Sequence, residues 1–94
     1  MHVAAIAIDL HLPGCASLKE KRSRLKPLLI AIRRRFNVSA AEIEHNDFLQ
    51  AAGIACVAVS NDHAHCQRVL GRIPKWIETR RPDITVIDHQ IEFL

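Results

Sequence analysis

Residues 17–37, SLKEKRSRLKPLLIAIRRRFN, predict one helix with a signal at each end. Ser17 and Glu20 form a capping box, in which the Ser17 hydroxyl accepts from the Glu20 backbone N–H and the Glu20 carboxylate reaches back to Ser17. Asn37 is expected to end the helix in a left-handed conformation. Pro27 removes one backbone donor inside the helix and predicts a kink outward from the core. The apolar positions fall on one helical stripe: Leu18, Leu25, Leu29, Ile32 and Phe36.

Strands are predicted on both sides of this helix. Residues 2–12 alternate with a period of two, and Pro13-Gly14 ends that strand because proline cannot continue a hydrogen-bonded ladder. Residues 38–45 and 54–60 predict two further strands, joined by a connection that is long for a hairpin. Residues 84–94 predict the last strand.

A second helix is predicted between the third and fourth strands. It starts after the capping side chains of Ser60-Asn61-Asp62 and is closed by Pro82-Asp83. Gly71 and Pro74 weaken it, and both are expected on its outer side. Its buried stripe consists of Cys66, Val69, Leu70, Ile73 and Ile77.

The resulting order βαββαβ predicts a single α+β domain over residues 1–94. Two crossovers and one hairpin give a ferredoxin-like sandwich, in which two helices cover one face of a four-stranded antiparallel sheet. The other face is expected to carry polar side chains around the small residues Ala5 and Ala7. These polar side chains are Asp9, His11, Asp88, Gln90 and Glu92.

Charge is divided unevenly along the chain. All 13 Lys and Arg residues fall within residues 19–35 and 68–81, which are the two predicted helices, and the formal net charge is +3. Such a division favours a polyanionic partner on the helical side. Three cysteines at irregular spacing favour reduced thiols and hence a cytoplasmic protein. No signal peptide or membrane span is predicted.

Several motifs resemble the YlxP-like family of small bacterial proteins. They are LHLPGC at residues 10–15, SLKEKR at 17–22, FNVS at 36–39, Ala41-Glu42, the pair His45 and Asp47, and Ser60-Asn61-Asp62. The resemblance implies a ferredoxin-like fold and a cytoplasmic role linked to translation, since genes of this family often lie beside those for translation initiation and ribosome maturation. It implies no catalytic residue.

Two groups of cations are candidates for contacting RNA or another anion. The first lies on the first helix and comprises Lys19, Lys21, Arg22, Lys26 and Arg33; the second lies on the second helix and comprises Arg68, Arg72 and Lys75. Such cations neutralise phosphates and give affinity that depends on salt and largely ignores sequence. The alternative is an ordinary solvated helix face. Base stacking on the sheet is not expected, because the two central strands carry no aromatic residue.

Other sites remain open at the level of sequence. Residues 13–17 precede a helix N-terminus and could cradle a phosphate, although the arginine-bearing loop of acylphosphatases is missing. Asp9, His11, His45 and Asp47 could form an acid/base group. His63, His65 and Cys66 could ligate a metal, although a capping histidine and a buried thiol are the simpler interpretation. Cys15 is a candidate reactive thiol.

These observations predict a non-enzymatic cytoplasmic module that associates with ribosomal RNA or ribosomal subunits through its helical side. No cofactor, no metal and no membrane contact are expected, and the protein should be a monomer or a weak homodimer. An alternative class is a homo-oligomeric scaffold, or a small-ligand module, that uses the uncovered sheet face. A phosphate-handling enzyme at residues 13–17 is a further alternative.

Overall fold

The computed structural model describes residues 1–44 and 48–94. The elements in chain order are β1 (His2–His11), α1 (Leu18–Phe36), β2 (Ser39–Glu44), β3 (Ala51–Ser60), α2 (His63–Gly71), α3 (Ile73–Arg80) and β4 (Thr85–Phe93). The strands form one sheet in the order β2-β3-β1-β4, and every neighbouring pair is antiparallel. This arrangement confirms the ferredoxin-like α+β fold. No helix in the described residues is long and apolar enough to span a bilayer.

Both ends of α1 are held as the sequence predicts, with one difference. The Ser17 Oγ accepts from the Glu20 N–H at 3.1 Å. The Glu20 carboxylate accepts from the N–H of Ala16 at 2.9 Å, one residue before the predicted partner. Asn37 adopts the left-handed conformation, with φ 53°, and its N–H donates to the Arg33 carbonyl. Capping therefore fixes where α1 begins and ends.

The buried face of α1 differs from the predicted stripe. Leu28 is fully buried, whereas Leu18 is 52% exposed. The buried positions follow the spacing of four and three residues that packs a helix against a flat sheet: Lys21, Leu25, Leu28 and Ile32. Lys21 occupies a buried position because the aliphatic stem of a lysine packs like an apolar side chain. A scan for apolar residues therefore misses it.

The predicted second helix is broken into α2 and α3 at Arg72. Pro74 lacks the N–H that would continue the helix, and its ring clashes with the preceding turn. It is tolerated at the start of a new helix instead. Pro74 is buried, so the expectation that it lies on the outer side is wrong, while Gly71 is exposed as expected.

The third strand begins earlier than predicted. β3 starts at Ala51 rather than at residue 54, and it pairs with β1 from His11 opposite Ala51 to His2 opposite Ser60. β2 ends at Glu44 after a register shift that follows Glu42. The last residues of the predicted connection, 51–53, therefore belong to β3.

Core side chains come from the helices and from the helix-facing side of the sheet. On β1 they are Ala4, Ile6, Ile8 and Leu10, and on β3 they are Ala52, Ile54, Cys56 and Ala58. The helices contribute the fully buried Leu70, Ile73 and Ile77, which lie on the predicted stripe. Alternation along the strands thus decides which face is covered.

The opposite side of the sheet, termed the open face below, carries the side chains predicted for it. The register places Glu92 opposite Ala5, and Asp88 opposite Asp9. On the β3 side, Val59 lies opposite Val3. The open face is therefore apolar along β3 and at Val3, Ala5 and Ala7 of β1, and acidic at Asp9 and along β4.

Candidate nucleic-acid interface

A groove of about 1070 Å³ lies between α1 and α3 on the helical side of the molecule. Ile30, Ala31 and Trp76 are half-buried and form its apolar base. Exposed cations surround this base: Arg22, Lys26, Arg34, Arg35 and Arg80. We call this feature, with Ser23 and Pro27 between the cations, the basic groove.

Two cations of the basic groove, Arg22 and Lys26, also line a neighbouring groove that contains Glu42, but the basic groove itself has a different lining. No acidic side chain lines the groove in the part of the chain that the structure describes. Within residues 1–44 and 48–94 the one ion pair joins Arg24 to Asp83, and neither residue belongs to the groove. Uncompensated cations around a concave surface concentrate positive potential there, which attracts polyanions.

Aromatic rings fix the end of the basic groove where α1 meets α3. The rings of Phe36 and Trp76 are in edge-to-face contact, with centroids 5.4 Å apart. The Arg35 guanidinium carbon lies 5.3 Å from the Phe36 centroid, and that of Arg80 lies 5.8 Å from the Trp76 centroid. Each cation–π contact at an exposed site contributes about 0.5–1 kcal/mol. The four side chains therefore hold one another in place.

The predicted cations of α1 separate into different environments. Arg22 and Lys26 line the basic groove, while Lys19 is exposed in the first turn of α1, outside it. Lys21 is only 4% exposed, and its Nζ donates to the Phe48 carbonyl at 3.1 Å. Lys21 is thus a structural residue in the core rather than part of an exposed surface.

Arg33 also points away from the basic groove. Its Nε and Nη2 both donate to the carbonyl of Ala40 on β2, at 3.1 and 2.6 Å. The same side chain lines a smaller groove beside Glu42. Its guanidinium therefore ties α1 to the edge of the sheet, and part of its charge lies near a carboxylate.

The predicted cations of the second helix do not join the basic groove. Arg68 lies with Ile91 in a groove between α2 and β4. Lys75 lines another surface together with Glu78 and Asp88, so acidic groups accompany it. Arg72 is exposed at the break between α2 and α3. The two predicted groups therefore occupy separate surfaces.

Four of the charged or aromatic residues of the basic groove were not predicted: Arg34, Arg35, Trp76 and Arg80. The run Arg33-Arg34-Arg35 is visible in the sequence, and Trp76 is the single tryptophan. Neither feature shows that α3 packs beside the outer surface of α1. The contact between Phe36 of α1 and Trp76 of α3 shows this packing in the structure.

The loop at residues 13–17 is already occupied by its own side chains. The Glu20 carboxylate accepts from the Ala16 N–H, which places a negative group where a phosphate would bind. Gly14 has φ +73° and makes the turn. Cys15 is buried, and its Sγ donates to the Ser17 carbonyl at 3.6 Å. This geometry disfavours both an anion site and an accessible thiol at Cys15.

The remaining candidates that the structure describes do not converge on one site. Cys66 is buried, with its Sγ 3.7 Å from the His2 carbonyl, and the His63 ring stacks on Phe93 at 3.8 Å. No three potential ligands form a metal-binding group among the described residues. Asp9 and His11 lie on the open face. The predicted partners His45 and Asp47 lie outside the described residues.

Burial also determines the chemistry of one core thiol. The pKa of Cys56 is raised to about 11 by burial, and the nearby charge of Arg33 opposes part of that rise. A thiol with such a pKa stays protonated at neutral pH and is a poor nucleophile. Cys56 is therefore a core residue and no reactive centre.

The fold and the groove define a small ferredoxin-like domain with a cationic helical side. The chain belongs to the family described as "Protein of unknown function (DUF503)", which it matches over residues 3–91. It is 36% identical over 63 residues to a Bacillus subtilis protein named "Uncharacterized protein YlxP", covering 67% of this chain and 68% of that protein. The predicted membership of a YlxP-like family is confirmed.

Among solved structures, a designed protein resembles the fold over nearly the whole chain. It is the de novo designed protein Foldit4, with a TM-score of 0.55 and 13% identity, and the match covers 98% of this chain and 96% of that one. At this level of identity the likeness shows the fold alone.

Proposed function

We propose that the protein is a non-enzymatic cytoplasmic module that associates with ribosomal RNA or ribosomal subunits through the basic groove. One observation carries the proposal: five cations, four of them arginines, surround an apolar base without an acidic neighbour among the described lining residues. Arginine is suited to phosphate because its planar fork donates two parallel hydrogen bonds. Affinity of this kind depends on salt and varies little with sequence.

The groove is favoured over the other basic surfaces because five cations and no acid are among its described lining residues. Arg33 donates to a backbone carbonyl, and Lys75 shares its surface with Glu78 and Asp88. A phosphate approaching Lys75 would meet the carboxylate of Glu78, whereas a phosphate approaching Arg34 would meet a surface with no acid among its described lining residues. Repulsion by neighbouring acids weakens an anion site, so the groove is the stronger candidate.

Co-sedimentation with ribosomal subunits at low and moderate salt tests the proposal. In the groove variant, Arg22, Lys26 and Arg34 are each replaced by Glu. We expect this variant to lose association with RNA whatever the RNA sequence. The slope of log K against log salt concentration should become shallower by about 0.7 for each single-strand phosphate contact removed. Circular dichroism checks that the fold is intact.

A matched control carries the same change of charge on the other surface, with Glu at Arg68, Arg72 and Lys75. This variant should still associate, because these residues lie outside the basic groove. Equal loss in both variants would show that net charge rather than the groove determines binding. Unchanged association of the groove variant would reject the proposal.

A homo-oligomeric scaffold that uses the open face is the second candidate, from a different class. The observation that favours it is the row of apolar pairs along the two central strands, Val3 with Val59 and Ala5 with Val57. Val59 is 66% exposed in the single chain, so a second copy would remove it from water. Oligomeric state separates this candidate from the first.

A further inference from the structure

Trp76 provides the basic groove with a flat apolar surface of fixed orientation. Its ring is half-buried beside Ile30 and Ala31, and the edge-to-face contact with Phe36, at an interplanar angle of 83°, restricts its rotation. A large planar group in a cationic groove goes beyond what phosphate binding requires, because phosphates need donors and charge rather than an apolar base.

Arg80 shows what kind of group fits over this ring. Its guanidinium carbon lies 5.8 Å from the Trp76 centroid, so a planar cation covers the ring in the free protein. Arg80 is exposed, so a base that displaces its guanidinium from the ring replaces a solvent-accessible cation–π contact, and the guanidinium can then reach a phosphate. A nucleobase is planar as well, and every base has a face that stacks on an aromatic ring.

A duplex cannot use this surface, because its bases are already stacked on one another. It would present riboses and phosphates to Ile30 and Ala31 and leave these apolar side chains against polar groups. An unpaired base covers the apolar base of the groove while the flanking phosphates reach Arg34 and Arg22.

We infer that the basic groove binds single-stranded RNA, with one unpaired base stacked on Trp76. This inference rests on the proposed function and adds the structural class of the RNA. It assigns separate tasks to the two parts of the groove. The cations supply affinity for any RNA, and the indole selects unpaired strands.

The protein contains its own probe for this site. Trp76 is the single tryptophan, and the chain has no tyrosine, so its intrinsic fluorescence reports on the groove alone. The experiment titrates the full chain at low salt with an oligouridylate of about ten nucleotides, and separately with an RNA duplex of equal length. We expect the single strand to quench and shift the emission, and the duplex to bind more weakly with little change in emission.

Two variants at position 76 measure the selectivity by anisotropy of labelled RNA. Trp76→Leu should weaken single-strand binding by about tenfold while duplex binding stays unchanged. Trp76→Phe keeps an aromatic ring and should recover part of the loss. The wild-type quenching needs no variant, so the inference stays testable even if Trp76→Leu fails to fold.

The outcomes separate the inference from the proposed function. Salt-dependent RNA binding without a change in Trp76 emission would overturn the inference and leave the proposed function standing. If the protein bound neither RNA in solution and did not associate with ribosomal subunits, the inference and the proposed function would both be overturned. If polyglutamate of matched charge altered the emission as strongly as oligouridylate does, the groove would recognise an acidic polypeptide or charge alone, and the inference would fail.

Discussion

Arg24 and Asp83, which are 59 residues apart in the chain, are joined by two hydrogen bonds from one guanidinium. Nε donates to the Asp83 carboxylate at 3.2 Å, and Nη2 donates to the Asp83 backbone carbonyl. Nη1 donates to the carbonyl of Pro13 at 3.0 Å. One side chain of α1 therefore holds the turn after β1 and the turn before β4 in place.

Replacing Arg24 should destabilise the fold measurably. We expect Arg24→Ala to lower the free energy of unfolding by about 1–3 kcal/mol, because the substitution removes a charge-assisted bond and two bonds to backbone carbonyls. Arg68→Ala, on an exposed helical position, is the control and should change stability by less than about 0.5 kcal/mol. Urea denaturation measures both. Equal effects would show that the hydrogen bonds of Arg24 contribute nothing net.

Lys21 and Lys19 provide a second comparison on the same helix. Lys21 is buried and bonded to the Phe48 carbonyl, whereas Lys19 is exposed. Lys21→Ala should cost about 1–3 kcal/mol, since it removes both the packed stem and a charged donor, and Lys19→Ala should cost less than about 0.5 kcal/mol. Denaturant titration of the two variants checks this. A similar cost for both would contradict a structural role for Lys21.

Local features of the fold were predictable because they depend on neighbouring residues. The pair Ser17 and Glu20 lies within one turn, and Asn37 needs only the preceding helix to act as a cap. Alternation along each strand likewise placed Asp9 and Asp88 on the open face. In each case the structural feature depends only on residues that are a few positions apart in the chain.

The basic groove was only half predictable, because packing brings its two sides together. Arg22 and Lys26 follow from the periodicity of α1, but nothing in the sequence places Trp76 beside them. Because the predicted second helix is broken at Arg72, Trp76 lies on a separate helix, α3. Lys21 was misplaced for a related reason: its charge indicates exposure, while its position on the helix faces the core.

The raised pKa of Cys56 predicts a loss of stability at alkaline pH. The thiol titrates near 9.0 when unfolded and at about 11 in the folded protein. Below pH 9.0 both states hold the proton, and the contribution of the thiol to stability is complete. Between the two values the unfolded chain releases its proton and the folded chain keeps it, so the free energy of unfolding falls by about 1 kcal/mol per pH unit.

Comparison with Cys56→Ala isolates this effect, because Cys15 and Cys66 are present in both proteins. Urea denaturation under reducing conditions, at pH values of about 8 and about 10, should show a larger fall in the free energy of unfolding for the wild type than for the variant. The expected difference is about 1 kcal/mol. Parallel pH dependence in the two proteins would show that Cys56 is not shielded as its burial indicates.

The charges of the open face predict its association behaviour. In a symmetric face-to-face dimer the acids near β4, Asp9, Asp88 and Glu92, would be brought together and repel, which opposes the gain from covering Val59. We therefore expect a monomer or a weak dimer at neutral pH by sedimentation velocity. Any pairing of the wild type should use a strand edge, where backbone groups are unpaired.

Neutralising those acids tests which contact is used. The variant Asp9→Asn, Asp88→Asn, Glu92→Gln should associate more tightly than the wild type if copies meet through the open face, because repulsion is removed and the apolar row remains. Adding Val59→Ser to this variant should reverse the gain. A dimer paired through the β2 edge would respond to neither change, because none of the substituted residues lies on β2. A tight face-to-face dimer of the wild type at neutral pH would contradict the repulsion argument, because the acids would then have to be compensated by groups such as His11 across the contact.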